Sequence, residues 1–161
     1  MEEIINGCSF TGHREIRISD AEALPALLLR GIEYVYQRGC KNFYCGGALG
    51  FDTLAAEAVI AFRRKHKDVK LYLVIPCANQ DERWNSAQRK KYAALLKSAD
   101  GKECLAESYY DGCMQARNAR LVELCDVVIA YLYRQNSGAG QTVRIAKNQG
   151  KTVYNLVVGL S

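Results

Sequence analysis

Short β-prone runs and longer amphipathic stretches alternate along the whole chain, and this alternation constrains the fold more than any single motif. "VKLYLVIP" (Val69 to Pro76) and "DVVIAYLY" (Asp126 to Tyr133) read as buried strands, and "EIINGCSFTG", "NFYC" and "KTVYNLVV" as further strands. "KECLAES" is a weaker strand. Between them lie helical stretches. "SDAEALPALLLRGIEYVYQRG" sets Leu24, Leu28, Ile32 and Val35 at helical spacing and places Gly39 where a C-terminal cap belongs. Ser19 and Glu22 predict a capping box, while Pro25 moves the start of the main helix later than Ser19. Further helices are predicted from about Asp52 to His66 and over "WNSAQRKKYAALLKSA", "GCMQARNARLVELC" and "GAGQTVRIAKNQG". In the second of these, Tyr92, Leu95, Leu96 and Ala99 share a face. Strands and helices in this order imply a parallel sheet covered on both faces. With right-handed crossovers the expected fold is α/β: a doubly wound, Rossmann-like three-layer sandwich with a mainly parallel sheet.

Several classes of function are set aside by composition. At 161 residues and 49% hydrophobic content the chain supports one domain, expected to span 1–161, with no linker dividing it. No apolar run reaches the roughly 20 residues of a membrane span, and "MEEIINGCSF" lacks the basic segment of a secretory signal, so a cytoplasmic location is expected. The seven cysteines form an odd, scattered set without C-x-x-C, which reads as small buried hydrophobes in a reducing compartment. Only His13 and His66 could join them, so no metal and no cofactor is expected. The net charge of +5 gathers in "RRKHK" (Arg63 to Lys67) and "RKK" (Arg89 to Lys91). At a helix C-terminus such cations offset the macrodipole, and no aromatics interleave with them, so a nucleic-acid groove is not expected there.

A doubly wound sheet binds ligands beyond the carboxyl ends of its strands, near the point where strand order reverses. Four polar or glycine-rich segments follow strands and are expected to converge at that rim. In "NSGAGQT", Gly138 and Gly140 flank Ala139 ahead of a helix, so backbone N–H groups can face an anion, with Ser137 and Thr142 as hydroxyl donors and Gln141 beside them. In "GGALGFD", Gly46 and Gly47 offer a bare backbone to a ligand, Gly50 permits unusual dihedrals or close packing, and Asp52 serves as helix N-cap, ribose acceptor, or both. "TGHR" supplies Thr11, Gly12, His13 and Arg14, with His13 the default proton-transfer group and Arg14 a fork for phosphate. After the third strand come Pro76, Gln80 and Trp84, whose indole either stacks on a base or locks helix to sheet. Arg117 and Asn118 add two polar side chains from the fourth major helix, facing outward or toward the rim.

Taken together, "TGHR", "CGGALGFDTLAAEAV", "PCANQDERW", "QARNARLVELCDVVIAYLY" and "SGAGQTVRIAKNQGKTV" resemble the YpsA-type branch of the SLOG superfamily, in order and over nearly the whole chain. The resemblance implies a Rossmann-like protein that binds a nucleotide or nucleotide-derived ligand, ADP-ribose- or NAD-like, as sensor, carrier or sequestering protein. The superfamily also holds LOG-type phosphoribohydrolases and DprA-type single-strand binders, which supply the alternatives. Met114 to Asn118 is similar to the LOG motif M-x-x-R-K, which implies a catalytic role for Arg117. Ser137 to Thr142 resembles the LOG glycine motif, yet Arg144 or Ile145 stands where its catalytic glutamate should fall, which argues against the standard hydrolase. Asp52, Glu57 or Glu82 is left as the substitute carboxylate. The resemblance also implies a homo-oligomer such as a dimer, with Tyr109, Tyr110, Tyr131 and Tyr133 as interface, core or cleft residues.

Overall fold

The computed structural model of the protein describes residues 4–160. Its strands are β1 (Gly7–Gly12), β2 (Asn42–Cys45), β3 (Lys70–Ile75), β4 (Gly101–Cys104), β5 (Val127–Tyr131) and β6 (Thr152–Asn155). The helices are α1 (Leu24–Gln37), α2 (Phe51–Arg63), α3 (Ser86–Ser98), α4 (Cys113–Glu123) and α5 (Gly138–Asn148), followed by a 3-10 turn at Leu156–Leu160. The sheet has the order β4-β3-β2-β1-β5-β6 and every pairing is parallel. Residues on β5 alternate between two cores. Val127, Ile129 and Tyr131 face the larger one with α1, α2 and α3, whereas Val128 and Ala130 face the smaller one built with α4 and α5. This is the doubly wound three-layer sandwich expected, and no helix among the described residues is long and apolar enough to cross a membrane.

Strand order reverses between β1 and β5. The chain runs outward from β1 to β4 and then returns to lay β5 against β1, with Gly12 paired to Tyr131 at the carboxyl end. Their following loops leave in opposite directions, which opens a crevice at that point.

Two expectations need correction. The Ser19/Glu22 capping box does not form: α1 begins after Ala23 without a side-chain cap, with Pro25 in its first turn. The buried polar residue there is Asp20, which accepts from Arg17 Nε at 2.7 Å and from the Tyr131 hydroxyl and so ties the loop to β5. A capping box is present on α3 instead, where Asn85 Oδ1 accepts from Gln88 N at 2.8 Å and Gln88 Oε1 from Asn85 N at 3.1 Å. The last strand is shorter than "KTVYNLVV" suggests, because the Asn155 amide binds both backbone groups of Leu132 and also accepts from Val157 N, turning the chain into the 3-10 helix.

A single imidazole spans the crevice floor. His13 is buried, and its Nε2 accepts from Tyr133 N at 3.0 Å and Arg134 N at 3.2 Å. The Tyr133 ring lies 4.0 Å from the imidazole, and its hydroxyl donates to Glu15 O at 2.8 Å. The loop after β5 is thus fastened to the loop after β1. Burial, and then the positive charges of Arg134 and Arg17, hold the His13 pKa below its ordinary 6.5. As pH falls the unfolded chain therefore takes up the proton first, and stability is lost below about pH 6.5. Thermal unfolding followed from about pH 7.5 to about pH 5.5 checks this. His13→Ala is expected to melt lower at neutral pH, by the equivalent of about 1–2 kcal/mol for the lost backbone bonds, and to lose part of the acid slope. Equal slopes in both proteins would show that His13 does not titrate there.

Candidate functional site

Above that floor lies a cleft of about 300 Å³, lined by Thr11, Gly12, His13 and Arg14 after β1, Ala48, Leu49 and Asp52 at the start of α2, Met114, Arg117 and Asn118 on α4, and Arg134 and Ser137 to Ala139 after β5. Segments far apart in sequence converge here because the sheet places the carboxyl ends of β1, β2 and β5 side by side.

Arg117 is the centre of the polar network. Its side chain is only 8% exposed; Nη1 donates to Gly46 O at 2.7 Å, Nε to Asn118 Oδ1 at 3.0 Å, and Nη2 reaches Met114 Sδ at 3.8 Å. With its Oδ1 engaged, Asn118 directs Nδ2 at Gly138 O (3.4 Å) and Gln141 Oε1 (3.1 Å). Asp52 is equally buried, at 7% exposed. It is a residue of the first turn of α2, not the N-cap, which is Gly50; its Oδ2 accepts from Ala48 N at 3.2 Å. Burial raises the Asp52 pKa and the nearby Arg117 charge opposes that rise, while burial lowers the Arg117 pKa and Asp52 opposes it.

The glycines serve different purposes. A Cβ on Gly46 would sit 2.5 Å from Arg117 Nη1 and 2.8 Å from Asp52 Oδ2, so this backbone is bare to admit the arginine rather than a ligand. A Cβ on Gly12 would strike the Phe51 ring, one on Gly50 the Arg14 carbonyl at 2.0 Å, and one on Gly140 the Gln135 carbonyl at 1.9 Å. Gly47 has a positive φ of 71° and offers its carbonyl to Gln80 Nε2 at 3.4 Å. Gly138 alone of this group is open: the nearest atom to its Cβ position is Asn118 Nδ2 at 4.0 Å.

At the α5 N-terminus, Ser137 Oγ accepts from Gly140 N at 3.0 Å, and Gln141 N closes the first helical turn on Ser137 O. Gly138 and Ala139 line the cleft, and their backbone amides have no acceptor among the described residues. Thr142 is buried, donates back to Gly138 O and does not reach the cleft. Pro76 is buried beyond it, Gln141 braces Asn118, and Gln80 and Trp84 line neighbouring depressions. His13 is not poised for proton transfer. Its Nε2 is engaged as an acceptor, which puts the ring proton on Nδ1. His13 lines the cleft, and no acceptor for its Nδ1–H is present among the described residues.

Of the substitute carboxylates, Glu57 pairs with Lys91 at 3.5 Å, Glu82 accepts from Asn79 at 3.3 Å, and only Asp52 lines the cleft. Arg144 donates to the Gln135 carbonyl at 2.9 Å, and Ile145 packs against the smaller core. Tyr131 belongs to the core, Tyr133 packs on His13, and Tyr109 and Tyr110 are exposed. Arg134 lines the cleft without having been singled out, although its place directly after the strongest strand was visible in the sequence. Among the described residues no three His, Cys, Asp or Glu side chains gather as metal ligands.

The family model YpsA, described as the YspA SLOG family, matches residues 9–157. Among curated proteins, the UPF0398 protein RBAM_020340 of Bacillus velezensis is 31% identical over 127 residues, covering 74% of this chain and 70% of its own. The UPF0398 protein BH1768 of Halalkalibacterium halodurans is 29% identical over 123 residues, covering 68% of this chain and 65% of its own. Among solved structures, DNA processing protein A of Streptococcus pneumoniae superposes with a TM-score of 0.66 at 20% identity over 93% of this chain and 50% of that one. DNA processing protein A of Helicobacter pylori, solved for its single-stranded DNA binding mode, gives 0.64 at 22% identity over 92% and 63%. The chain thus spans between half and about two thirds of several of the proteins it matches, and the structural likenesses share its fold. By the extent of the family match, the chain belongs to the YpsA SLOG family.

Proposed function

We propose that the protein binds a nucleotide or nucleotide-derived ligand, ADP-ribose- or NAD-like, in the cleft at the carboxyl rim of the sheet, and acts in the cytoplasm as its sensor, carrier or sequestering protein. One observation carries this reading: Gly138 and Ala139, whose helix N-terminal amides are unpaired among the described residues, line the same cleft as a buried carboxylate, Asp52. The amides and the dipole of α5 suit a phosphate group. Arg134 and Arg14 line the same cleft and add positive charge. Asp52 presents the acceptor that ribose hydroxyls need, and His13 Nδ1–H a further donor.

A second reading has an observation of its own. The cleft does hold a carboxylate beside Arg117, although it arrives on α2 and not at the position of the LOG glutamate. Nucleotide N-glycosidic hydrolysis would use Asp52 to stabilise positive charge developing on the ribosyl ring, with water as the co-reactant and the free base and ribose phosphate as products. A single-strand binder of the DprA type has weaker support. Arg63 of the basic cluster is held by Asp100 at 2.7 Å and Ser98 O at 2.9 Å.

The glycine pair at α5 separates ligand contact from packing. Gly138→Val adds a side chain at a position whose nearest neighbour, Asn118 Nδ2, is 4.0 Å from the Cβ, so the fold is retained while the anion's approach is blocked. Calorimetry with AMP and ADP-ribose is expected to show an affinity loss of at least about 100-fold, corresponding to the loss of two charge-assisted bonds. Gly140→Ala should instead lower the melting temperature, because its Cβ meets the Gln135 carbonyl. Wild-type affinity in the Gly138 variant would make the loop structural. The second reading is decided by chromatography of nucleoside monophosphates and NAD incubated with the protein. Release of free base or nicotinamide that Asp52→Asn lowers by about 100-fold or more supports hydrolysis, and its absence in the wild type leaves binding alone.

A further inference from the structure

The cleft does not end at Arg14. That arginine also borders a second depression of about 440 Å³ formed after β3 and beside α4, which shares Met114 with the cleft and more than doubles the space open to a ligand. Trp84 and Tyr109 form aromatic parts of its wall, and Arg83 adds a cation. Tyr109 is 59% exposed although its backbone is anchored, its amide donating to Asn79 Oδ1 at 3.0 Å. The indole of Trp84 is steadied by an edge contact with Tyr92, at 5.1 Å between centroids. Arg14, Arg83 and Arg134 take part in none of the ion pairs among the described residues, so their charge is available along the path from α5 to Trp84.

We infer that this second depression is a subsite for a second aromatic base, so that the ligand class is a phosphate-linked dinucleotide rather than a mononucleotide. The inference rests on the nucleotide reading of the cleft and extends it. At about 300 Å³ the cleft alone lies at the lower limit of small-molecule sites, whereas a ligand with two ring systems fills cleft and depression together. Arg14, common to both, stands where a phosphate linker between the two halves would pass. Trp84 and Tyr109 supply π-faces that hold a base by stacking. The depression also carries Gln80, whose Nε2 is held by Gly47 O and the Tyr92 hydroxyl, so that its Oε1 remains as an acceptor for a base edge.

Calorimetry with AMP, ADP-ribose, NAD and the dinucleotide ApA tests it. NAD and ApA are expected to bind about 10-fold or more tighter than AMP, the gain of one stacked base on an aromatic side chain. ADP-ribose, which has the linker phosphates without a second base, should fall short of NAD. Trp84→Ala and the surface change Tyr109→Ala should each erase most of the two-base advantage while leaving AMP affinity within about 2-fold, the ordinary reach of a contact that AMP does not make. Tyr109→Ala keeps the test decisive if loss of the indole disturbs α3. AMP binding with no gain for NAD or ApA overturns this inference and leaves the proposed function standing. If AMP, ADP-ribose, NAD and ApA all fail to bind, the proposed function itself falls. Affinity that climbs with the length of oligodeoxyadenylates and collapses at moderate salt overturns the dinucleotide assignment in favour of a nucleic-acid groove.

Discussion

The site depends on one buried guanidinium. Placing a charge out of water costs several kcal/mol unless its donors are met, and Arg117 meets that cost with the Gly46 carbonyl, the Asn118 amide and the nearby Asp52. Each partner belongs to a different piece of chain. Gly46 follows β2, Asp52 lies in the first turn of α2, and Asn118 hands the connection on to Gly138 and Gln141 in α5. One unbroken line of polar contacts therefore runs from the loop after β2 to the N-terminal end of α5. Asn118 has no freedom to flip, since Arg117 Nε requires its oxygen and the Gly138 carbonyl requires its nitrogen. The cleft is set in advance of any ligand, which limits the ordering cost of binding.

Most of the framework was legible because it follows from local periodicity. The runs at Asn42 to Cys45 and Val127 to Tyr131 are short and apolar, and each is bounded by a turn signal, so the strands fall where the pattern sets them. Convergence of the loops was legible for a topological reason: in a parallel sheet every strand delivers its following loop to the same pole. The capping boxes show the limit of local reading. Ser19 and Glu22 have the right spacing, yet Asp20 is drawn down to Tyr131, 111 residues away, and the helix starts later without a cap. Asn85 and Gln88 carry no stronger signal, but their loop is free to close on itself.

What sequence could not supply was the reason for each glycine. Gly46, Gly50, Gly138 and Gly140 look alike as bare positions at a rim. Three of them are bare because an arginine, a carbonyl or a returning loop presses against them, and one because nothing does. The difference lies in contacts such as Gly46 with Arg117, which are 71 residues apart, and no pattern within a window of ten encodes it. The same holds for His13. An imidazole at a rim suggests acid–base chemistry, but two backbone donors on Nε2 fix the tautomer and turn the residue into a fastening that carries its proton on Nδ1.

Position, not total, gives the charge its meaning. The dense cluster from Arg63 to Lys67 lies at the C-terminal end of α2, whereas the loop that leads into that helix starts at the rim, so the cluster sits toward the opposite pole of the sheet. Arg63 there is committed to Asp100, which also accepts from Leu71 N and fixes the approach to β3. The rim carries fewer cations, yet Arg14, Arg83 and Arg134 have no carboxylate partner among the described residues and border two concave surfaces that meet at Arg14 and Met114, where low-dielectric walls concentrate their field. Asp52 lies deeper, at the start of α2 and near Arg117. In the proposed binding mode the exposed arginines and the helix amides serve the anion, and the buried carboxylate serves groups that donate hydrogen bonds. On the proposed function, that arrangement favours molecules in which phosphate and hydroxyls stand side by side over bare anions, which give Asp52 no donor beyond Ala48 N, and over neutral nucleosides, which give the amides of Gly138 and Ala139 no acceptor.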